Sequence, residues 1–378
     1  MKRRLKGFII LLLCVLLLAG CRPGPAETQL TDTAAMTGQV AETQETEKAT
    51  DPVTTEAPET EAPQTEEQTQ PPEEKTGQLK HRFASKEEGI ELLLSNTEYY
   101  AGFCQNDLEY KFQRKGATME EYLAFAKEQV RDFTDGDIAL IDSYLAKMEK
   151  TLEDNGYVLP PHEEIVFVKT TMLEENGPGG YTHGGQIYVC DWVIEAGAKG
   201  EEYILDYLDY FFWHELFHCL TRANPDFRAA MYGIIHFTVS DTDFPLPPSV
   251  MEYHISNPDV EHHNAYASFK INGEMIDCFV DLITTRHFEN KGDSFFNCMT
   301  SALIPIDGSD VYYTPEQAEN FDDVFGKNTD YSVDPEECMA DNFAYAIVYG
   351  VEGAAEHGFE SPEIFEAVLN YLSGTNAE

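Results

Sequence analysis

Between residues 22 and 78 the chain has no Phe, Tyr or Trp. A stretch dominated by Thr, Glu, Pro, Gln and Ala cannot bury enough apolar surface to offset the entropy of ordering it. That excludes a packed domain there. Its 13 acidic residues face 3 basic ones, so it repels itself and extends. A flexible chain of this length reaches about 40 Å root-mean-square, and proline and charge lengthen it. Residues 22–79 therefore read as a tether, with the folded region at 80–378.

Positive charge is scarce everywhere except at the start. Lys and Arg number 25 against 68 Asp and Glu. Of the formal −43, the first 21 residues contribute +4 and residues 22–78 contribute −10, which leaves −37 on the remainder. Such a surface argues against a nucleic-acid partner. It suits a solvated exterior, or substrates that are neutral or cationic. Long apolar runs are also missing. The longest, Phe8 to Leu18, is too short to span a bilayer as a mature helix. The six cysteines beyond the tether (Cys104, Cys190, Cys219, Cys278, Cys298 and Cys338) form no C-x-x-C pair, so disulfides are permitted but not implied. No internal repeat is visible.

The first 21 residues have the order of an export signal. Lys2, Arg3, Arg4 and Lys6 precede the apolar run, and Leu18-Ala19-Gly20-Cys21 closes it. This closing tetrapeptide resembles a bacterial lipobox. The resemblance implies cleavage that leaves Cys21 as a lipidated N-terminus. The protein would then be lipid-anchored at the extracytoplasmic face of a cell membrane. An ordinary secretory signal with a chance cysteine is the alternative.

The folded region begins helical. Ser85-Lys86-Glu87-Glu88 has the form of a capping box ahead of Ile90 and Leu92–Leu94. Further helices are expected over Met119–Phe133 and from Thr134 up to the stop at Pro160-Pro161. Glu164–Thr170 and Gln186–Val189 read as strands, separated by a glycine-rich turn at 176–180. Apolar helices follow at Glu202–Thr221 and from Pro225 toward Ile235. Residues 240–330 look loop-rich, with strand pieces near Ala267–Ile271. A last helix has Ser361 as N-cap, Pro362 at its first position and Gly374 past its end.

The most informative stretch is Trp213-His214-Glu215-Leu216-Phe217-His218-Cys219, an H-E-x-x-H inside an apolar helix. On a helix, His214 and His218 stand one turn apart on one face, where two imidazoles can grip one zinc ion. Glu215 can reach a water on that metal and act as general base. The extended form that continues with Gly and His does not apply, because Thr221 and Asn224 hold those positions. Downstream, Asp334-Pro335-Glu336-Glu337-Cys338-Met339-Ala340-Asp341 opens another helix, with Glu337 and Asp341 four apart. Glu337 also stands where a capping-box glutamate belongs, and Glu336 then reads as charge favouring the helix dipole.

With H-E-x-x-H, E-x-x-x-D and a strand before the helix, the domain resembles a gluzincin-type zinc metallopeptidase, the group that includes thermolysin. The resemblance covers about 50 informative residues of 378, and the long gap from His218 to Glu337 departs from thermolysin. It implies an α+β, mostly helical zincin-like domain with a small mixed β-sheet. It implies one Zn2+ on His214, His218 and Glu337, with Glu336 or an Asp outside the helix as the alternative third ligand, and Asp341 orienting His214. It implies Glu215 as the base and a peptide or protein substrate. It also implies that Tyr181–Gly185, ahead of the active helix, is an edge strand that pairs with extended substrate. His183 in that strand is either an extra ligand or a surface residue. An oxyanion formed at zinc is usually held by a Tyr or His. The candidates are Tyr331 and His262, the latter from the polar cluster Asn257–His263. The rival reading is a non-catalytic surface binding protein on a zincin scaffold, and a non-peptide zinc hydrolase stands behind both.

Overall fold

The computed structural model describes residues 79–177 and 179–375. The signal segment, Cys21 and the tether lie outside them. The folded unit starts one residue earlier than expected, because Leu79 is buried and its N–H donates to Glu149 Oε1 at 2.7 Å. The class is α+β, as expected, but it holds two sheets rather than one.

The first sheet gathers short strands from the N-terminal half. They are β1 (His81–Phe83), β2 (Val130–Arg131), β3 (Ile165–Thr170), β4 (Gly180–His183) and β5 (Gln186–Cys190). Their order is β1-β3-β5-β4, with β2 pairing the end of β3. β1, β3 and β5 run parallel, and β2 and β4 are antiparallel to their neighbours. β4 is thus an edge. The expected helix over Met119–Phe133 ends at Ala126 because Val130 and Arg131 leave it to pair with Thr170 and Lys169. The helix after Thr134 stops at Asn155, before the prolines, where Gly156 turns left-handed with φ 66°. Three helices, Thr97–Ala101, Gln105–Phe112 and Asp191–Ala198, had no sequence expectation.

The second sheet lies in the region expected to be loop-rich, where only the strand near Ala267–Ile271 was foreseen. β6 (Thr238–Val239), β7 (Ala265–Ile271), β8 (Glu274–Thr284) and β9 (Met299–Pro305) follow one another antiparallel. Asn272-Gly273 joins β7 to β8, both residues at positive φ, the backbone that a two-residue type I′ hairpin demands.

Two long helices form the centre. Labelled in the order they matter here, α1 is Glu202–Ala223 and α2 is Pro335–His357. Asn224, forced from helical geometry by the following Pro225, ends α1 and donates from its side chain to Leu220 O at 2.9 Å. α1 is buried continuously from Phe211 to Thr221. α2 starts with Asp334 as N-cap and Pro335 at its first position, and bends at Gly350, whose φ of 64° is not helical. The two helices pack through aromatic rings, Phe217 on Phe343 at 5.3 Å and Trp213 on Phe343 at 6.3 Å between centroids. On its other side α1 carries the edge strand. A Cβ on Gly180 would sit 2.5 Å from Phe211 and 2.6 Å from the Tyr188 carbonyl, so glycine there permits the close approach of β4 to the helix. No helix among the described residues is long and apolar enough to cross a membrane.

Candidate metal centre

Tyr210, His214 and His218 follow one another at helical spacing along one face of α1. α2 meets that face with Glu336, Glu337 and Asp341. His214 Nε2 is 3.2 Å from Glu337 Oε2, and His218 Nε2 is 3.7 Å from the same oxygen. Ligands of a tetrahedral zinc, each about 2.0–2.2 Å from the metal, stand about 3.3–3.6 Å apart. Both distances to Glu337 Oε2 are close to that spacing, and donor atoms of all three residues lie within 4.8 Å of one another.

Both imidazoles turn Nε2 toward Glu337 because Nδ1 is committed elsewhere. His214 Nδ1 lies 3.0 Å from Asp341 Oδ1. The Tyr210 and Thr329 hydroxyls also donate to Asp341 and hold it in place. His218 Nδ1 donates to Glu336 Oε1 at 2.9 Å. That oxygen also accepts from the Thr221 hydroxyl at 2.6 Å, and Tyr232 donates to the other oxygen of Glu336. A carboxylate behind each ring fixes the tautomer and raises the basicity of the free nitrogen. The second oxygen of Glu337 is held by Asn257 Nδ2 at 2.5 Å and by the Tyr331 hydroxyl at 3.2 Å, which leaves Oε2 to face the imidazoles.

Two buried atoms here have no hydrogen-bond partner, His218 Nε2 and Glu215 Oε2. Glu215, His218 and Asp259 form a second group of donor atoms mutually within 4.8 Å. Glu215, Asp259, Asp334, Glu336, Glu337 and Asp341 are all buried. So many desolvated carboxylates around two imidazoles need a compensating cation. Donor chemistry, spacing and orphaned atoms all fit a divalent metal. Burial alone would raise the Glu337 carboxyl, but His214 and His218 outweigh it and hold it down to about 2. Burial opposes charge on His214, yet Asp341 and Glu337 lift its imidazole well above the usual range. Burial, and after it Asp259, pushes the Glu215 carboxyl well above the usual carboxylate range.

The structure brings His214, His218, Glu215, Glu337, Asp341 and Tyr331 together. It does not bring His262. That side chain is 54% exposed, with Nδ1 3.2 Å from Asp243 Oδ2, because the chain turns Asp259 inward and His262 out to solvent. His183 is neither a ligand nor a surface residue. It is buried against the rings of Tyr99, Tyr181 and Tyr188, and burial keeps its imidazole pKa well below the usual value. Glu336 is not an exposed dipole charge but the partner of His218. Asp334 caps the Glu336 N–H at 2.7 Å, and no capping box involves Glu337. All six cysteines in the described residues are free thiols. Sequence reasoning missed Tyr210, Glu336, Asn257 and Asp259. Tyr210, one turn before His214, carried a legible signal. Asp259 lay in the polar cluster already singled out, but attention fell on its histidines.

Comparison with protein-family models, curated proteins and solved structures gives no match.

Proposed function

We propose that this chain is a zinc-dependent peptidase of gluzincin type with a zincin-like domain, tethered to the extracytoplasmic face of a cell membrane through lipid on Cys21. The observation that carries this reading is the paired commitment of both Nδ1 atoms to carboxylates. It leaves two Nε2 atoms facing Glu337 Oε2 at 3.2 and 3.7 Å, beside an unpartnered Glu215 oxygen.

Zinc held by His214, His218 and Glu337 would supply Lewis acidity toward a substrate carbonyl and make water nucleophilic at neutral pH. Glu215 takes the proton from the attacking water and passes it to the leaving amine. Its burial and its free oxygen suit a group that must exchange a proton in a dry site. Tyr331 borders the same space and is the candidate donor to the developing oxyanion. Asp341 and Glu336 steady the two rings and handle no proton of the reaction. The acidic surroundings favour peptides that are neutral or basic near the cut.

Glu215→Gln tests the reading. The variant should bind about one zinc per chain and lose hydrolysis of a mixed peptide library. Full zinc occupancy with no hydrolysis by the wild type would favour the binding-protein reading, and hydrolysis unchanged in the variant would remove Glu215 from the mechanism.

A further inference from the structure

An edge strand offers its outward backbone groups to whatever lies alongside. At the end of β4 and in the turn after it, the Thr182 and Gly184 N–H groups are taken by side chains of one nearby segment, and the Thr182 carbonyl by Arg222 of α1. The Thr182 N–H donates to Asp259 Oδ1 at 2.7 Å and the Gly184 N–H to Glu261 Oε1 at 3.1 Å. The Thr182 carbonyl accepts from Arg222 at 3.4 Å, and Arg222 also holds the Pro258 carbonyl at 3.0 Å and Glu261 at 2.9 Å. Residues 259 and 261, two apart, answer residues 182 and 184, two apart, so carboxylate oxygens stand in for the carbonyls of a paired strand.

The same segment runs into the metal centre. Asn257 holds Glu337 at 2.5 Å, and Asp259 Oδ1 is 4.0 Å from the unpartnered His218 Nε2. Asp259 shares a donor cluster with Glu215 and His218, and not with His214 and Glu337, so its carboxylate lies beside the base at the edge of the three-ligand group. The root of the segment is fixed. Ser256 donates through N at 2.8 Å and Oγ at 2.7 Å to Asp107, while Lys111 holds its carbonyl at 2.7 Å. Beyond the segment is a cavity of about 390 Å³ lined by Arg222, Arg228, Tyr232 and Glu336, with Asp259 and Glu261 in its wall.

We propose that residues 257–262 are a strap that closes the metal centre, with Asp259 lying over Glu215 and His218 in the closed state. This rests on the zinc reading of His214, His218 and Glu337. The strap pivots after Ser256. Release of Asn257, Asp259 and Glu261 uncovers Glu215 and His218 and frees the Thr182 and Gly184 N–H groups at the edge of β4, and lets an extended peptide take the place of the strap.

The test uses zinc-loaded protein, with chelator competition for zinc affinity, acetohydroxamate as a probe of the open position, and hydrogen exchange at Thr182 and Gly184. Asp259→Ala, which removes none of the three ligands, should leave zinc affinity unchanged. It should also tighten acetohydroxamate about tenfold and speed exchange at Thr182. Glu261→Gln, which removes no ligand, should tighten acetohydroxamate and speed exchange at Gly184 with zinc affinity unchanged. An acetohydroxamate affinity that stays within about twofold of wild type in Asp259→Ala overturns the strap and leaves the three-ligand site standing. A wild type that takes up no zinc overturns both.

Discussion

Glu336→Gln isolates the carboxylate behind His218. Glu336 is buried, and its Oε1 accepts from His218 Nδ1 at 2.9 Å and from Thr221 at 2.6 Å. Glutamine keeps the shape and one acceptor oxygen but removes the charge. A hydrogen bond to a charged group contributes about 1.5–3 kcal/mol and a neutral one about 0.5–1.5, so the substitution withdraws roughly 1–1.5 kcal/mol from the imidazole that must donate its other nitrogen to the metal. That difference corresponds to a factor of about 5–13 in zinc dissociation constant. It falls at the low end of the 10–100-fold cost usual for carboxylates behind a metal-binding histidine. Glutamine suits the comparison because alanine would strand three buried donors, on His218, Thr221 and Tyr232, and would confuse metal loss with unfolding. The assay is chelator competition at fixed pH, with circular dichroism to show that the fold is kept. A folded Glu336→Gln that binds zinc as tightly as wild type would refute the argument that Glu336 tunes His218. The same change without metal should cost little stability, because it also relieves one negative charge among the six buried there.

Tyr331→Phe should leave zinc binding nearly intact and lower kcat about 100-fold, the usual cost of one oxyanion donor; zinc loss in step with activity would instead make Tyr331 only a support for Glu337. Lys111→Met should destabilise the fold by about 3–5 kcal/mol in urea titration, because it strands the carboxylates that a buried ammonium compensates. Lys111 Nζ holds Glu175 at 2.6 Å and lies 3.7 Å from Asp107, and a loss within experimental error would show that this cluster tolerates its own charge. Glu174 gives a pH signature away from the metal. Burial raises its carboxyl from 4.5 to about 7, so between those values the folded state binds more protons than the unfolded chain. Its contribution to stability is therefore present at low pH and is lost as pH rises toward 7. Unfolding free energies measured across this window should fall more steeply for wild type than for Glu174→Gln, and parallel curves would refute the assignment.

The H-E-x-x-H helix, its partner helix and the candidate donor set were legible because each depends on spacing within one helix. Four residues set two side chains on one face wherever the helix lies, so His214 with His218, and Glu337 with Asp341, follow from local geometry alone. The edge strand before α1 was expected from the resemblance, at Tyr181–Gly185, whereas the strand legible from its own residues was the neighbouring Gln186–Val189. The second sheet was not, although Asn272-Gly273 between two apolar runs was a hairpin signal that went unused. Strands such as Met299–Pro305 pair with residues some 20 positions away, and no local period records that pairing. The same limit governs the site. Sequence determined which residue types could bind and activate a metal, and that two helices would carry them. Only tertiary structure decided that Glu336 backs His218, that His262 faces solvent and that Asp259 lies over the centre. Those facts depend on how a loop crosses two helices and a strand edge, and therefore on contacts between segments that the chain order keeps apart.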